Sequence, residues 1–174
     1  MTEVYCEDEI AKKVIFKAIS NIQHETINNK FSDLINVIIS GCGEKTHNNF
    51  EVHKTTYPYK KVKTGYACIL DGDQRSLFAS EENLHFLYSD KSPEYFLIQA
   101  YLIKYPHDNL QYHLENSDNH CLLNKMVEFS LATSREAGFE KCWEIFLESA
   151  EGDLYFRELI FFINETIERF SKEI

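Results

Sequence analysis

The chain has 174 residues, 44% of them hydrophobic and 26% charged, the balance of an ordinary globular protein rather than of a disordered or membrane-embedded one. No apolar run reaches bilayer-spanning length, and the acids Glu3, Glu7, Asp8 and Glu9 argue against a secretory leader, so a cytoplasmic protein is expected. Five cysteines without a Cys-x-x-Cys pair argue against a disulfide framework or a zinc site.

The formal net charge of −10 is unevenly placed: residues 1–75 hold 10 Lys+Arg and 10 Asp+Glu, leaving 8 and 18 for residues 76–174. A second part so acidic repels a phosphate backbone, so any contact with nucleic acid is expected through the first part or with the help of a partner.

Thr2–Cys6 is short and β-favouring and reads as a first strand. Glu7-Asp8-Glu9 follows, and Ile10, Val14, Ile15, Ala18, Ile19 and Ile22 then recur at helical spacing. The acids at this helix start are either capping residues favoured by the helix dipole or contributors to a site. Leu34–Ser40 reads as a second, buried strand broken by Gly41-Cys42-Gly43, a tight turn or a backbone approaching a ligand; no Lys-Ser/Thr pair follows, so it is not a phosphate-binding P-loop. A short helix is predicted over Thr46–Val52. Lys54, Lys60, Lys61 and Lys63 are interleaved with Tyr57 and Tyr59, a mixture that suits either a nucleic-acid strand or a solvated loop.

Gly65–Leu70 is an apolar strand running straight into Asp71-Gly72-Asp73-Gln74-Arg75. Two carboxylates this close repel unless a proton or a cation intervenes, and a hard cation with oxygen ligands meets that need. Asp-Gly is also a common turn dipeptide. Leu84–Tyr88 reads as a fourth strand. Ser92-Pro93-Glu94 opens a helix with cap, proline and acid in their favoured places, and Pro106 ends it. Residues 107–120 look polar and loop-like. Leu122–Ala137 is predicted as one helix stopped by Gly138, and Phe139–Ala150 as another stopped near Gly152. A last helix, capped by Asp153, is predicted to run toward Ile174. Its Leu159-Ile160-Phe161-Phe162-Ile163 run is apolar almost all round, so part of it is expected to need cover from another protein.

The order strand, Glu-containing turn, helix, strand, glycine turn, strand ending in Asp-x-Asp, strand, helix resembles the Toprim domain of topoisomerases, primases and nucleases. Within that group it is most similar to the C-terminal Toprim domains of OLD-family (overcoming lysogenization defect) ATP-dependent nucleases linked to phage defence. Val4-Tyr5-Cys6-Glu7-Asp8-Glu9, Ile38-Ile39-Ser40-Gly41-Cys42-Gly43, Leu70-Asp71-Gly72-Asp73 and Pro93-Glu94 carry the likeness, which covers about residues 3–104. It implies an α/β fold with a mostly parallel four-stranded sheet flanked by helices in residues 1–106, and a helical extension in residues 107–174. It further implies a Mg2+- or Mn2+-dependent endonuclease. Asp71 and Asp73 would be metal ligands, Glu7 a ligand or general base, and Glu94 part of a second metal site. Lys54, Lys60, Lys61, Lys63 and Arg75 would contact DNA or RNA, with Lys45 and Lys91 as further cations for the phosphate.

Two departures bear on these expectations. The ATPase domain that precedes the Toprim in OLD proteins is not in this chain, so an ABC/SMC-like or OLD-like ATPase subunit is expected as a hetero-oligomeric partner. Asp8 stands where many Toprim domains have glycine, which leaves Glu7 and Glu9 in competition. A Toprim-fold interaction subunit without catalysis is the alternative. Haloacid-dehalogenase-like phosphatases also begin from Asp-x-Asp, but that pattern wants Thr or Val where Arg75 stands.

Overall fold

The computed structural model describes residues 1–25 and 34–172. In chain order the elements are β1 (Thr2–Cys6), α1 (Glu9–Glu25), β2 (Ile35–Ile39), α2 (Gly43–Thr56), β3 (Gly65–Leu70), β4 (Leu84–Phe86), α3 (Pro93–Lys104), α4 (Asp108–Asn116), α5 (Leu122–Glu128), α6 (Arg135–Glu148) and α7 (Ala150–Ser171). The last helix was expected to run toward Ile174; residues 173–174 lie outside the described residues.

The fold is α/β. The strands form one sheet in the order β2-β1-β3-β4, and all three pairings are parallel, with Val4 opposite Val37 and Ala67, and Cys68 opposite Leu84. A parallel strand is covered on both faces and so reads as a continuous apolar run, which is why Ala67, Cys68, Ile69 and Leu70 are all buried. On one face Tyr5, Cys68, Leu70, Leu84 and Phe86 pack around Phe50 of α2. α1 buries Ile10, Ala11, Val14, Ile15, Ala18, Ile19 and Ile22, the stripe expected from its spacing; each fully buried aliphatic side chain contributes roughly 1.5–3 kcal/mol.

The chain divides into two compact units, one of Met1–Leu87 with the chain from Arg157 onward, the other of Tyr88–Phe156. These limits fall elsewhere than the 106/107 boundary read from the sequence. In the first unit the residues of α7 return to the sheet: Phe162 stacks on His85 at 5.0 Å, and Phe170 packs against Tyr57 and Tyr66. Gly65 leaves room for that contact, because a Cβ there would lie 2.6 Å from both Phe170 Cγ and Thr2 Oγ1.

Several local expectations are corrected. α2 runs Gly43–Thr56, well beyond Thr46–Val52, and β4 stops at Phe86 rather than Tyr88. Residues 108–116 are helical: Leu110 and Leu114 are buried at i, i+4 spacing, and His107 Nδ1 accepts from the Leu110 amide at 3.1 Å as the cap. Leu122–Ala137 is not one helix. α5 ends at Glu128, where Ser130 takes a left-handed φ of 59° and the Leu131 amide closes onto the Met126 carbonyl at 2.9 Å. Gly138 therefore stops nothing and lies inside α6, capped by Ser134. Gly152 likewise sits inside the first turn of α7, where Ser149 rather than Asp153 accepts the capping bond. Ser92 holds the N-cap position of α3, but its side chain makes no cap bond.

In the second unit, Tyr88, Phe96, Phe146 and Tyr155 form a buried or half-buried aromatic cluster with centroids 4.9 to 6.4 Å apart. Trp143 extends it to Phe139 and Phe156.

Candidate metal centre

The chain leaves β1 toward β2 on one side and returns over β1 to β3 on the other. Right-handed crossovers in opposite directions put α1 and α2 on opposite faces of the sheet. A crevice is then left at the carboxyl ends of β1 and β3, the position where open parallel sheets take ligands.

Glu7 follows β1 at that edge, and Asp71 follows β3 and opens a 3-10 turn, Gly72–Ser76, that carries Asp73. One oxygen from each carboxylate lies within 4.8 Å of the others. The Asp71 amide donates to Glu7 Oε2 at 2.6 Å, tying the two strand ends together. Asp71 is 1% exposed and Glu7 7%, while Asp73 is open to solvent. Asp71 Oδ1 is buried without a hydrogen-bond partner. Burial first, then the charges of Glu7, Asp8 and Asp73, push the Asp71 pKa up to about 9, so without a cation the acid cluster favours holding a proton.

Asp71-Gly72-Asp73 stands at the end of a sheet strand, as its apolar lead-in predicts. Gly72 has no left-handed backbone; among the described glycines only Gly41 does, with φ 109°. That glycine lets the chain after β2 turn so that its amide donates to the Glu7 carbonyl at 3.0 Å. Thr46 of α2, fully buried, reaches the Cys6 carbonyl at 3.4 Å and the Cys42 carbonyl at 2.7 Å. The Cys6 contact and the Gly41 amide hold the start of α2 against the end of β1 and so fix where Glu7 leaves the strand, while the Cys42 bond stays within the first turn of α2.

The three acids after β1 divide their tasks. Glu7 turns to Asp71. Asp8 caps α1, its Oδ1 accepting from the Ala11 amide at 2.8 Å. Glu9 is exposed in the first turn. Glu94 is buried in the second unit, where Oε1 accepts from Arg135 Nη2 at 2.9 Å and Oε2 from the Leu123 amide at 3.3 Å. It belongs to no metal-capable group among the described residues.

The basic residues are also sorted. Lys54 donates to Glu51 at 2.9 Å and Glu81 at 2.7 Å, so its charge is matched inside the fold. Those glutamates and His47 form a second group with metal-ligand atoms close together, but the Lys54 ammonium already supplies a cation to both carboxylates. Lys60, Lys61 and Lys63 are exposed, with the Lys63 ammonium 5.1 Å from the Tyr57 ring centre. Arg75 is exposed at the acid edge, lies 5.7 Å from the Phe86 ring centre and donates to the Phe86 carbonyl at 3.5 Å. Lys45 and Lys91 are exposed as well.

Two features carried no sequence signal. The Tyr5 hydroxyl lies 3.0 Å from Glu3 Oε2 and 2.9 Å from His53 Nδ1, while His53 Nε2 donates to the Thr64 carbonyl at 2.8 Å. These groups and Lys60 line a cavity of about 500 Å³. The other feature is Gln74, whose Nε2 donates to Asp73 Oδ1 at 3.1 Å. Neither could be found by spacing, because each joins residues from separate elements or a single side-chain rotamer.

The donor set fits a hard divalent cation. All three groups offer carboxylate oxygen, the chemistry of Mg2+, Ca2+ and Mn2+ rather than of thiolate- or imidazole-seeking metals. The nearby Cys6 thiol is buried and its pKa is pushed up to about 12, chiefly by burial, which keeps it neutral and out of that set. No helix among the described residues is long and apolar enough to cross a membrane. No family model, curated protein or solved structure matches the chain.

Proposed function

We propose that the chain is a Toprim-like, Mg2+- or Mn2+-dependent nuclease subunit that hydrolyses phosphodiester bonds of DNA or RNA, working with an OLD-like or ABC/SMC-like ATPase in phage defence. One observation carries the reading: a buried carboxylate, Asp71, that has an oxygen lacking any hydrogen-bond partner and brings an oxygen within 4.8 Å of those of Glu7 and Asp73 at the crevice of a parallel sheet. Burying a charged or polar group without a partner is costly, and an ion held by the three carboxylates removes that cost.

Glu7, Asp71 and Asp73 hold the cation in this reading. A divalent ion bound there acidifies its water and neutralises charge on a phosphate. Asp71 gives up its proton on binding. Glu7, whose Oε2 is anchored by the Asp71 amide, is held in one orientation. Arg75 lies exposed at the same edge and would meet phosphate charge there, with Lys45 beside Gly41 as a second such cation. Lys60, Lys61 and Lys63 extend positive charge along the loop before β3 for the nucleic-acid backbone. Lys54 and Glu94 are left out of these roles, since both are engaged elsewhere.

The interaction-subunit alternative draws on one observation: with Lys54 neutralised by Glu51 and Glu81, the basic surface is small for a chain of net charge −10. The ATPase partner is part of the proposal for the same reason. The apolar run of α7 argues for it less than the sequence suggested, because within that run only Phe161 is exposed, at 63%.

The test is Mn2+-dependent cleavage of single- and double-stranded DNA and RNA by the purified chain, alone and with any ATPase that co-purifies with it from its native host. Cleavage lost in Asp71→Asn/Asp73→Asn with the fold intact supports the nuclease. A wild-type protein that binds no Mn2+ by calorimetry overturns it.

A further inference from the structure

We infer that Gln74 is the positioning residue of the exposed ligand Asp73, and that Gly43 is glycine because its missing side chain is the seat of Gln74. The inference rests on the metal reading of the three carboxylates and deepens it.

Asp73 differs from the other two acids. Glu7 and Asp71 are buried and locked to each other, whereas Asp73 is exposed, and an exposed aspartate samples several rotamers unless something holds it. Gln74 supplies the hold through its amide donated to Asp73 Oδ1. A neighbouring side chain can do this only if its own rotamer is fixed.

Its rotamer is fixed by α2. A Cβ placed on Gly43, the first residue of that helix, would run into Gln74 Oε1 and Cδ and lie 3.0 Å from its Cγ. The glutamine thus occupies the space that any other residue at position 43 would fill. Gly43 has no left-handed φ, so backbone freedom does not explain the glycine; the close approach does. The start of α2 is itself pinned to the end of β1 through Thr46 and the Gly41 amide. A chain of contacts therefore runs from the Glu7 end of β1, through the α2 start and Gln74, to Asp73. This places the third ligand relative to the first without any direct bond between them.

The obstructing atoms belong to a flexible side chain. Gly43→Ala should therefore leave the fold nearly as stable as before while pushing Gln74 off Asp73. A support partner of a metal ligand is typically worth 10- to 100-fold in affinity, and for an exposed ligand we expect about 10-fold.

The experiment is a double-mutant cycle on the full chain, reading Mn2+ affinity by calorimetry and by the paramagnetic resonance of the bound ion. Gly43→Ala and Gln74→Ala should each weaken Mn2+ binding by about 10-fold, with melting temperatures close to wild type. The double variant should be no weaker than Gln74→Ala alone, because with Gln74 truncated the alanine at 43 has nothing to displace. Additive losses, or unchanged affinity in Gln74→Ala, overturn the inference. A separate measurement needs no metal: a nuclear Overhauser contact between the Gln74 side-chain amide and Gly43 Hα in the metal-free protein. Its absence overturns the seat whatever the ion does. Its presence in a wild-type protein that binds no Mn2+ sinks the metal reading and leaves the Gly43–Gln74 contact standing.

Discussion

The Asp71 backbone amide and the Glu7 carboxylate meet at 2.6 Å across the ends of two adjacent strands, so one acid of the cluster is held by the backbone of another. Neutralising Glu7 while keeping its shape should preserve much of that contact but remove a charge from the cation. Glu7→Gln is therefore expected to abolish cleavage and weaken Mn2+ binding at least 10-fold, as loss of a ligand does. Glu9→Gln, on the exposed first turn of α1, should leave both within twofold. Glu7→Ala should in addition lower stability by about 1–3 kcal/mol, since a buried amide loses its acceptor. Denaturant titration of the three variants beside their activity checks the ranking; Glu9→Gln as the damaging change would refute the placement.

Asp71 makes the metal-free protein sensitive to alkali. Its folded pKa is raised well above the unfolded value by burial and by Glu7, so between about pH 4 and pH 9 the folded state binds more protons than the unfolded one. Stability from this group is then full below pH 4 and falls as pH rises toward 9. Thermal melts in EDTA should show that slope, and Asp71→Asn should flatten it. Adding Mn2+ should release close to one proton at pH 7, measurable as a dependence of calorimetric heat on buffer ionisation enthalpy.

His85 sets the opposite slope in acid. Burial, then the charge of Arg75, lowers its pKa to about 4, so between pH 6.5 and about pH 4 the unfolded chain is the better proton binder. Its stability contribution is complete above pH 6.5 and is lost as pH falls through that window. His85→Phe, which keeps a ring against Phe162, should remove this part of the acid transition in a pH series of thermal melts.

The exposed lysines should govern nucleic-acid affinity, and Lys54 should not. Lys60→Glu, Lys61→Glu and Lys63→Glu together are expected to weaken binding and to reduce the slope of log affinity against log salt, each lost phosphate contact lowering it by about 0.9 for duplex DNA. Lys54→Met should leave affinity unchanged. It should cost well under about 1 kcal/mol per pair in stability, because its partners are partly exposed. Fluorescence anisotropy over a salt series separates the two classes, and a large affinity loss in Lys54→Met would contradict the assignment.

Much of this arrangement was legible in the residues. The run Gly65–Leu70 into Asp71-Gly72-Asp73, and Thr2–Cys6 into Glu7, place a carboxylate at the end of each of two buried strands, and parallel pairing brings those ends together. What local pattern could not supply was competition between neighbours. Asp8 and Glu9 carry the same charge as Glu7, and only the strand end decides which one turns inward. Lys54 looks like its fellow lysines until Glu81, 27 residues on, claims it. Gly138 and Gly152 looked like helix stops because glycine often is one, yet both lie inside helices; at Gly152 a Cβ would run into the Phe146 carbonyl, at Gly138 it would make only ordinary contacts, and Ser130 took the left-handed turn instead.

The contact between Phe170 and Gly65 has a practical side. Gly65 begins β3, and the acids follow its other end, six residues and so about 20 Å away at ~3.3 Å per residue. The last turn of α7, at Phe170, therefore lies at the end of the sheet opposite the carboxylates, and a tether placed on that turn would stand away from them. Immobilising the protein there should leave the carboxylates open to metal, which suits surface-based metal kinetics; long nucleic acids are better studied free in solution, because Lys63 packs on Tyr57 beside Phe170 at the tethered end.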